Sequence, residues 1–348
     1  MKRLLIATDA WHPQINGVVR SIEAMVREAP ALGFEVEVLS PQGFFTLPMP
    51  GYEEIALAIM PMLRPSVIAK RVVAIAPDYI HIATEGPIGR ATRAWCLKRD
   101  VPFTTSYHTK FPEYVRARMP VPLKASYAVL RRFHGAGAGV MVATDTLEAE
   151  LRERGFRNIL RWGRGVDSAI FHPRESSVLA HPRPIWLYVG RVAVEKNLPA
   201  FLDLDLPGTK VVVGDGPDRA ELAAKYPSAV FTGAKTGVAL AEHYASADVF
   251  VFASRTDTFG MVLLEAMASG VPVAAYPVTG PRDVVRHGVS GILDDDLKAA
   301  CLGALALPRA AVLEEGRRHT WAASAAEFFG HVRNATLKPS LARRQGRP

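Results

Sequence analysis

The chain has 348 residues, of which 49% are hydrophobic and 22% charged, with a formal net charge of +8, a balance ordinary for one large or two smaller globular domains with full cores. Its two cysteines, Cys96 and Cys301, lie far apart and have no Cys or His at metal-ligand spacing, which excludes a disulfide framework and a zinc site and suits a reducing cytosol. No apolar run nears the roughly eighteen residues that span a bilayer, so a membrane-embedded chain is excluded as well.

The chain opens on Leu4-Leu5-Ile6-Ala7 followed by Thr8-Asp9, a first strand rather than a signal peptide. A turn, Asp9-Ala10-Trp11-His12-Pro13-Gln14-Ile15-Asn16-Gly17, leads to Val18, Ile22, Met25, Ala29 and Leu32, which mark one face of a helix. Gly33 ends that helix and residues 34–39 form the next strand, completing a βαβ unit. Gly17 in its first turn lets a ligand approach the backbone closely; taken alone, it is also ordinary turn chemistry.

Residues 79–83 read as a strand, Gly86-Pro87-Ile88-Gly89 opens a helix, and residues 101–106 form a strand ending in Tyr107-His108-Thr109-Lys110. His108 thus sits at a strand's carboxyl end, the edge where open α/β sheets bind ligands, although a single His is more often structural. Over residues 116–133, Met119, Val121, Leu123, Tyr127 and Leu130 are interleaved with Arg116, Arg118, Lys124, Arg131 and Arg132. Two readings fit equally: an interfacial helix lying on a membrane, or a core-facing helix with a solvated basic back. Residues 90–132 hold ten basic residues against two acids, an excess equal to that of the whole chain. A single-sign patch of this kind implies an anionic partner: an acidic membrane surface, a nucleic acid or an anionic ligand.

Gly135-Ala136-Gly137-Ala138-Gly139 precedes a strand at 140–143, whereas a dinucleotide fingerprint needs strand, glycines, then helix; it is a turn. Residues 158–161 are the last strand of the first half, and Arg164-Gly165-Val166-Asp167 follows. Residues 171–184, with Pro173, Pro182 and Pro184, read as the linker.

The second half starts with a strand at 185–189 and continues Gly190-Arg191-Val192-Ala193-Val194-Glu195-Lys196-Asn197, with two cations just past the strand end. Residues 210–213 are a strand closed by Gly214-Asp215-Gly216-Pro217, and residues 247–253 are a buried-strand run. After it Val262, Leu263, Ala266 and Met267 fall at helical spacing until Gly270-Val271-Pro272. Residues 257–260 are therefore a strand-to-helix loop, and Thr258, Phe259 and Gly260 offer backbone N–H groups that suit a phosphate. Asp257 on the loop and Glu265 on the helix can reach different parts of one ligand; the plainer reading makes Asp257 an N-cap and Glu265 a solvated helix residue. Gly280-Pro281-Arg282-Asp283 follows, then a final amphipathic helix over 321–332 and a basic tail without acids, expected to be disordered.

Together these motifs resemble family 4 of the retaining glycosyltransferases, over nearly the whole chain. The resemblance rests on Asn16-Gly17-Val18, Tyr107-His108-Thr109, Arg164-Gly165-Val166-Asp167, Gly190-Arg191 with Glu195-Lys196-Asn197, Gly214-Asp215-Gly216-Pro217 and the Asp257-to-Glu265 block. That block begins with Asp where the family more often has Glu, a departure similar to that of lipid-directed members, the diacylglycerol glycosyltransferases and α-mannosyltransferases. The resemblance implies an α/β, GT-B fold of two doubly wound Rossmann-like domains facing across a cleft. The domains expected are an acceptor domain at residues 1–172 and a nucleotide-sugar domain at 173–320. A helix at 321–335, its return to the first domain left open, and a disordered tail at 336–348 complete the chain.

The same resemblance implies roles. Glu265 holds the ribose hydroxyls, Arg191 and Lys196 neutralise the donor diphosphate, Asp257, Phe259 and Gly260 contact sugar and phosphate, and His108 and Gly17 face the sugar. His108, Arg191, Lys196 and Asp257 form the catalytic set. Two resident cations replace a metal ion, so no metal or other cofactor is expected; Asp203-Leu204-Asp205 and Asp294-Asp295-Asp296 are placed in loops away from the cleft. The reaction implied is transfer of a hexose from a donor such as UDP-glucose to a membrane lipid such as diacylglycerol. The alternative is α-mannosyl transfer from GDP-mannose to a glycolipid or polysaccharide. Arg116, Arg118, Lys124, Arg131 and Arg132 are the expected contacts to an anionic membrane, placing the protein on the cytoplasmic face of the cell membrane. A nicotinamide dehydrogenase is disfavoured because Asn16-Gly17-Val18 is not a glycine fingerprint, and a nucleic-acid partner because no recognition motif accompanies the basic run. The sequence sets no oligomeric state.

Overall fold

The computed structural model describes every residue except 15, 50–51, 59–64, 119 and 338–348. The chain divides into two compact units, Met1–Gly163 with Trp321–Pro348, and Arg164–Thr320. The division falls earlier than the expected 172/173, and the reason is visible in the contacts. Val166 bridges Thr320 in parallel, its N–H donates to the His319 carbonyl, and Phe171 packs edge-on against Tyr244 at 5.9 Å. The Arg164-Gly165-Val166-Asp167 segment therefore belongs to the second unit, and the proline-rich stretch is not the boundary.

The first unit is built on β1 (Lys2–Ala7), β2 (Phe34–Leu39), an antiparallel ribbon of β3 (Thr46–Met49) and β4 (Tyr52–Ala58), and then β5 (Tyr79–Ile82), β6 (Thr104–Ser106), β7 (Gly139–Val142) and β8 (Ile159–Arg161). The six strands outside the ribbon form one parallel sheet in the order β2-β1-β5-β6-β7-β8. The second unit repeats the plan with β9 (Ile185–Val189), β10 (Thr209–Val213), β11 (Val230–Gly233), β12 (Val249–Phe252), β13 (Val273–Ala275) and β14 (Gly291–Leu293), ordered β11-β10-β9-β12-β13-β14. Central strands of a parallel sheet are covered on both faces, which is why β9 reads Ile-Trp-Leu-Tyr-Val and β12 Val-Phe-Val-Phe, every residue buried. Trp186, Phe201 and Phe250 are fully buried in this unit, and each contributes roughly 2–3 kcal/mol by leaving water.

In both sheets the strand order reverses at the middle: the chain leaves β1 toward β2 and returns on the other side as β5, and it leaves β9 toward β10 and returns as β12. The carboxyl ends at such a reversal splay their loops apart and make a crevice for ligands. Gly17 follows β1, Arg191 and Lys196 follow β9, and Asp257 follows β12.

Three local expectations are corrected. The first helix runs only over Gly17–Glu28, because Pro30 lacks the N–H to continue it; a short 3-10 turn, Pro30–Leu32, closes on Gly33 at φ 78°. Pro120 and Pro122 likewise split the basic segment into separate helices, Phe111–Arg118 and Leu123–His134. The last helix runs over Trp321–Leu337, so residues 334–337 are helical rather than a disordered tail, and the rest of that tail lies outside the described residues.

Candidate active site

In the second unit the loops after β9 and β10 lie directly on each other. Gly190, Gly214 and Gly216 have φ of 152°, 154° and 156°. A Cβ at Gly214 would sit 1.8 Å from the Gly190 carbonyl oxygen, and one at Gly216 would sit 2.3 Å from that of Val192. Only glycine permits this approach. The Val192 N–H donates to the Asp215 carbonyl at 2.8 Å, and the Tyr188 hydroxyl donates to the Arg191 carbonyl at 2.8 Å. The backbone that carries Arg191 is thus held from two sides, and its guanidinium lies 3.7 Å from the buried carboxylate of Glu195. Tyr188 is itself buried; burial pushes its phenol well above the usual range, so it remains a hydrogen-bond donor.

A 3-10 turn at Val194–Lys196 then aims Lys196 at the next loop. Its Nζ lies 2.6 Å from Oδ1 of Asp257, with both side chains mostly buried. Asn197, in the left-handed conformation at φ 55°, donates its side-chain N–H to the Ala253 carbonyl at 3.1 Å. These contacts bind the loop after β9 to the loop after β12. The second oxygen of Asp257, Oδ2, is buried with no hydrogen-bond partner among the described residues. Phe259 is buried, and Gly260 at φ 84° is the N-cap of the Met261–Ala268 helix. Behind them Gly280 at φ 93° would place a Cβ 2.9 Å from the Phe259 carbonyl oxygen, so the loop after β13 backs this one closely.

Glu265 is 3% exposed and accepts a hydrogen bond on Oε2 from the Tyr244 hydroxyl at 3.0 Å. The plainer sequence reading is corrected on both counts. Glu265 is not a solvated helix residue, and the N-cap is Gly260, leaving Asp257 to hold an ammonium group. Arg191, Lys196, Asp257, Phe259, Gly260 and Glu265 therefore gather at one edge of the second sheet. A nucleoside diphosphate fits the chemistry of this edge: two cations near the phosphates, a helix N-terminus, and a fixed carboxylate for vicinal hydroxyls.

In the first unit Gly17 begins the first helix, whose Asn16 cap accepts from the Val18 and Val19 N–H groups at 3.0 Å each. Asp9 ties the same loop to the loop after β5, accepting from the Ile88 and Gly89 N–H groups at 2.8 and 3.3 Å and from the Thr84 hydroxyl at 2.8 Å. Burial pushes the Asp9 carboxyl above the usual range, opposed by those hydrogen bonds. His108 follows β6, half-buried, with its ring edge-on to Trp162 at 5.8 Å. Trp162 donates to Ser324 of the last helix at 3.1 Å, so the end of the chain supports the His108 position.

The basic segment is settled residue by residue. Tyr127, Leu130 and Phe133 are buried, so the Leu123–His134 helix faces the core and carries its cations on the back. Arg116, Lys124, Arg131 and Arg132 are exposed; Met119 and the side chain of Arg118 lie outside the described residues. Two other cations serve the fold: Lys110 is buried against Glu150 at 2.7 Å, and Arg93 donates to the Phe133 and Arg132 carbonyls. The acidic stretches are also structural. Asp203 accepts from Tyr226 at 2.7 Å, Asp205 pairs with Lys298 at 3.3 Å, and Asp296 caps the Leu297–Leu305 helix. Among the described residues no three His, Cys, Asp or Glu side chains are placed to share a metal ion.

Sequence reasoning missed Tyr188, Tyr244, Asp9 and Trp162. The two tyrosines stand in apolar stretches where a hydroxyl leaves no periodic trace.

Two parallel sheets of this order, with loops gathered at the carboxyl ends, define the GT-B class. Sucrose-phosphate synthase from Thermosynechococcus elongatus has the same fold, with a TM-score of 0.79 over 97% of this chain and 100% of that one at 19% identity. The family described as Glycosyltransferase Family 4 matches residues 15–169, and that described as Glycosyl transferases group 1 matches residues 183–306. A GDP-mannose-dependent alpha-mannosyltransferase of Mycolicibacterium smegmatis is 31% identical over 97% of this chain and 99% of its own length. An alpha-monoglucosyldiacylglycerol synthase of Streptococcus pneumoniae is 25% identical over 87% of this chain and 78% of its own. The chain is a glycosyltransferase and belongs to family 4.

Proposed function

We propose that this enzyme transfers a hexose from a nucleotide-diphosphate sugar to a membrane lipid, with retention of configuration. The observation that carries the reading is the gathering of Arg191, Lys196, Asp257 and Glu265 on glycine-fixed loops at one sheet edge. As the C1–O bond breaks, the departing diphosphate gains negative charge, which Arg191, Lys196 and the helix N-terminus at Phe259 and Gly260 stabilise. Glu265 takes the ribose hydroxyls. The orphan Oδ2 of Asp257 accepts a sugar hydroxyl, because a buried acceptor without a partner costs about 1–3 kcal/mol that such a donor relieves. Gly17 and His108 supply the sugar-side surface of the first unit. The acceptor hydroxyl attacks on the face the diphosphate leaves, and a donor phosphate oxygen takes its proton. The mycobacterial relative's name supports GDP-mannose as donor; the pneumococcal relative's name supports diacylglycerol as acceptor and a glucosyl donor as the second reading. Incubation with GDP-mannose or UDP-glucose and diacylglycerol vesicles, followed by mass analysis, tests this. A hexosyl lipid is expected; transfer only to soluble acceptors removes the lipid.

Two further results follow from the donor edge. Activity should survive excess chelator, since the cations are side chains; complete loss restored by manganese or magnesium would show that a metal is needed. Tyr244→Phe keeps the ring and deletes the hydrogen bond to Glu265, worth about 0.5–1.5 kcal/mol, so donor KM should rise roughly 2–13-fold with kcat little changed. An unchanged KM would mean that Glu265 does not hold the donor through this arrangement.

No helix among the described residues is long and apolar enough to cross a membrane, so a lipid acceptor requires the enzyme to come to the headgroup plane. Arg116, Lys124, Arg131 and Arg132 are exposed, and each cation near an anionic leaflet contributes about 1 kcal/mol. Sedimentation with phosphatidylglycerol vesicles should weaken with salt and vanish when these four become Glu. Equal binding of the variant would remove the peripheral cytoplasmic-face assignment.

A further inference from the structure

Outside the donor edge, the first unit carries a groove of about 280 Å³ between the Pro87–Arg99 and Leu123–His134 helices. Its floor is apolar. Leu130 and Phe133 close it from below, and Val129, the one residue of its helix turned away from the core with a large apolar side chain, is 57% exposed along it. Its rim is cationic. Arg90, Arg93 and Arg132 line it, and none of the three has a carboxylate partner among the described residues. Among the described residues the one acid in the lining, Glu85, is engaged inward, with Oε1 3.0 Å from Nε2 of the buried His134.

Two of the three guanidinium groups, those of Arg93 and Arg90, are held in place by backbone carbonyls. Arg93 donates from Nε to the Phe133 carbonyl at 3.0 Å and from Nη2 to the Arg132 carbonyl at 2.9 Å, while Arg90 donates from Nε to the Glu85 carbonyl at 2.9 Å. Partial burial, and then the like charge of Arg132, hold the Arg93 guanidinium below its usual range. Both effects disfavour the charged form, and the opposite charge of an anion lodged between the two side chains would offset them.

A bare phosphate would satisfy the rim and leave the floor wet; an uncharged acyl chain would cover the floor and leave the cations uncompensated. We propose that this groove is a discrete binding site for one anionic phospholipid, its phosphate seated on Arg90, Arg93 and Arg132 and the first part of an acyl chain lying on Val129, Leu130 and Phe133. Its volume, at the lower end of small-molecule sites, fits a headgroup and the start of one chain. The inference rests on the membrane reading above only for the source of the lipid. It differs from general attraction to an anionic surface in predicting saturable, one-to-one binding that needs no bilayer.

The test uses the full chain and dihexanoylphosphatidylglycerol below its critical micelle concentration, read by methyl NMR at Leu130. A saturable shift is expected. Dihexanoylphosphatidylcholine and glycerol phosphate, which lack the net charge or the chains, should each bind at least about tenfold more weakly. Val129→Asp and Arg90→Glu should each weaken the short-chain lipid by about tenfold or more. Both side chains are exposed, and thermal melting checks folding; if Val129→Asp unfolds, Arg90→Glu decides alone. Absence of saturation, unchanged binding in both variants, or equal binding of glycerol phosphate overturns the proposal, the last outcome marking a plain phosphate site. Failure of the parent protein to bind the short-chain lipid, with intact sugar transfer to vesicles, overturns the groove alone. Saturable lipid binding without any transfer to lipid overturns the acceptor reading alone.

Discussion

Arg191→Ala should lower turnover by roughly 10²–10³-fold, the loss seen when one preorganised stabiliser of developing charge is removed. The fold around it should survive. What holds this loop is the Arg191 carbonyl under the Tyr188 hydroxyl and the Val192 N–H on Asp215, and neither contact uses the guanidinium. The effect should fall on kcat more than on KM, because the diphosphate carries more charge as it leaves than when bound in the donor. Lys196→Ala should cost at least as much, since it also strips the mostly buried Asp257 of the ammonium 2.6 Å away. Arg191→Lys should restore part of the rate, as charge returns without the two-pronged geometry. Single-turnover kinetics at saturating donor would measure this. A rate for Arg191→Ala within a few-fold of the parent would mean that the leaving group is stabilised elsewhere.

Much of this site was legible because the sheet writes its own pattern. The apolar runs of β9 and β12 mark strands covered on both faces, and the residues just past them fall at the carboxyl edge whatever the helices do. That alone places Arg191, Lys196 and Asp257 together. Their surroundings were not legible. Periodicity reports which face a residue takes, and says nothing of what it meets across the fold. Lys196 meets Asp257 across sixty-one positions of chain, and Tyr244 meets Glu265 across twenty-one. The same limit hid the cost of the basic run: Lys110 and Arg93 look like surface charge until Glu150 and the Phe133 carbonyl are brought beside them. Where local chemistry outranks the apolar pattern, as at Pro30 and Pro122, the elements end earlier or begin later than spacing suggests. The unit boundary moved for a tertiary reason, because Val166 pairs with Thr320 from the far end of the second unit.

Gly214→Ala should collapse the donor edge even though it adds a single methyl group. The new Cβ would fall 1.8 Å from the Gly190 carbonyl oxygen, and the obstacle is backbone, so no rotamer change relieves it. The φ of 154° adds strain for any residue with a Cβ. Overpacking of this kind costs about 1–3 kcal/mol and the backbone strain a similar amount, so roughly 2–6 kcal/mol in all. The cheapest escape is for the loop after β9 to retreat, and that loop carries Arg191. A displacement of about 1 Å at a charge-stabilising group is enough to cost on the order of 10²-fold in rate. The second unit should therefore melt roughly 5–20 °C lower, and the protein should bind donor weakly even where it remains folded. Gly237→Ala is the matched control. Gly237 also has positive φ, at 54°, but a Cβ there meets nothing within 4 Å, so only the modest left-handed penalty of about 1 kcal/mol applies. Calorimetric melting and donor titration of the two variants side by side decide the matter. If Gly214→Ala melts no lower than Gly237→Ala and turns over like the parent, the stacked glycine loops are not what fixes Arg191.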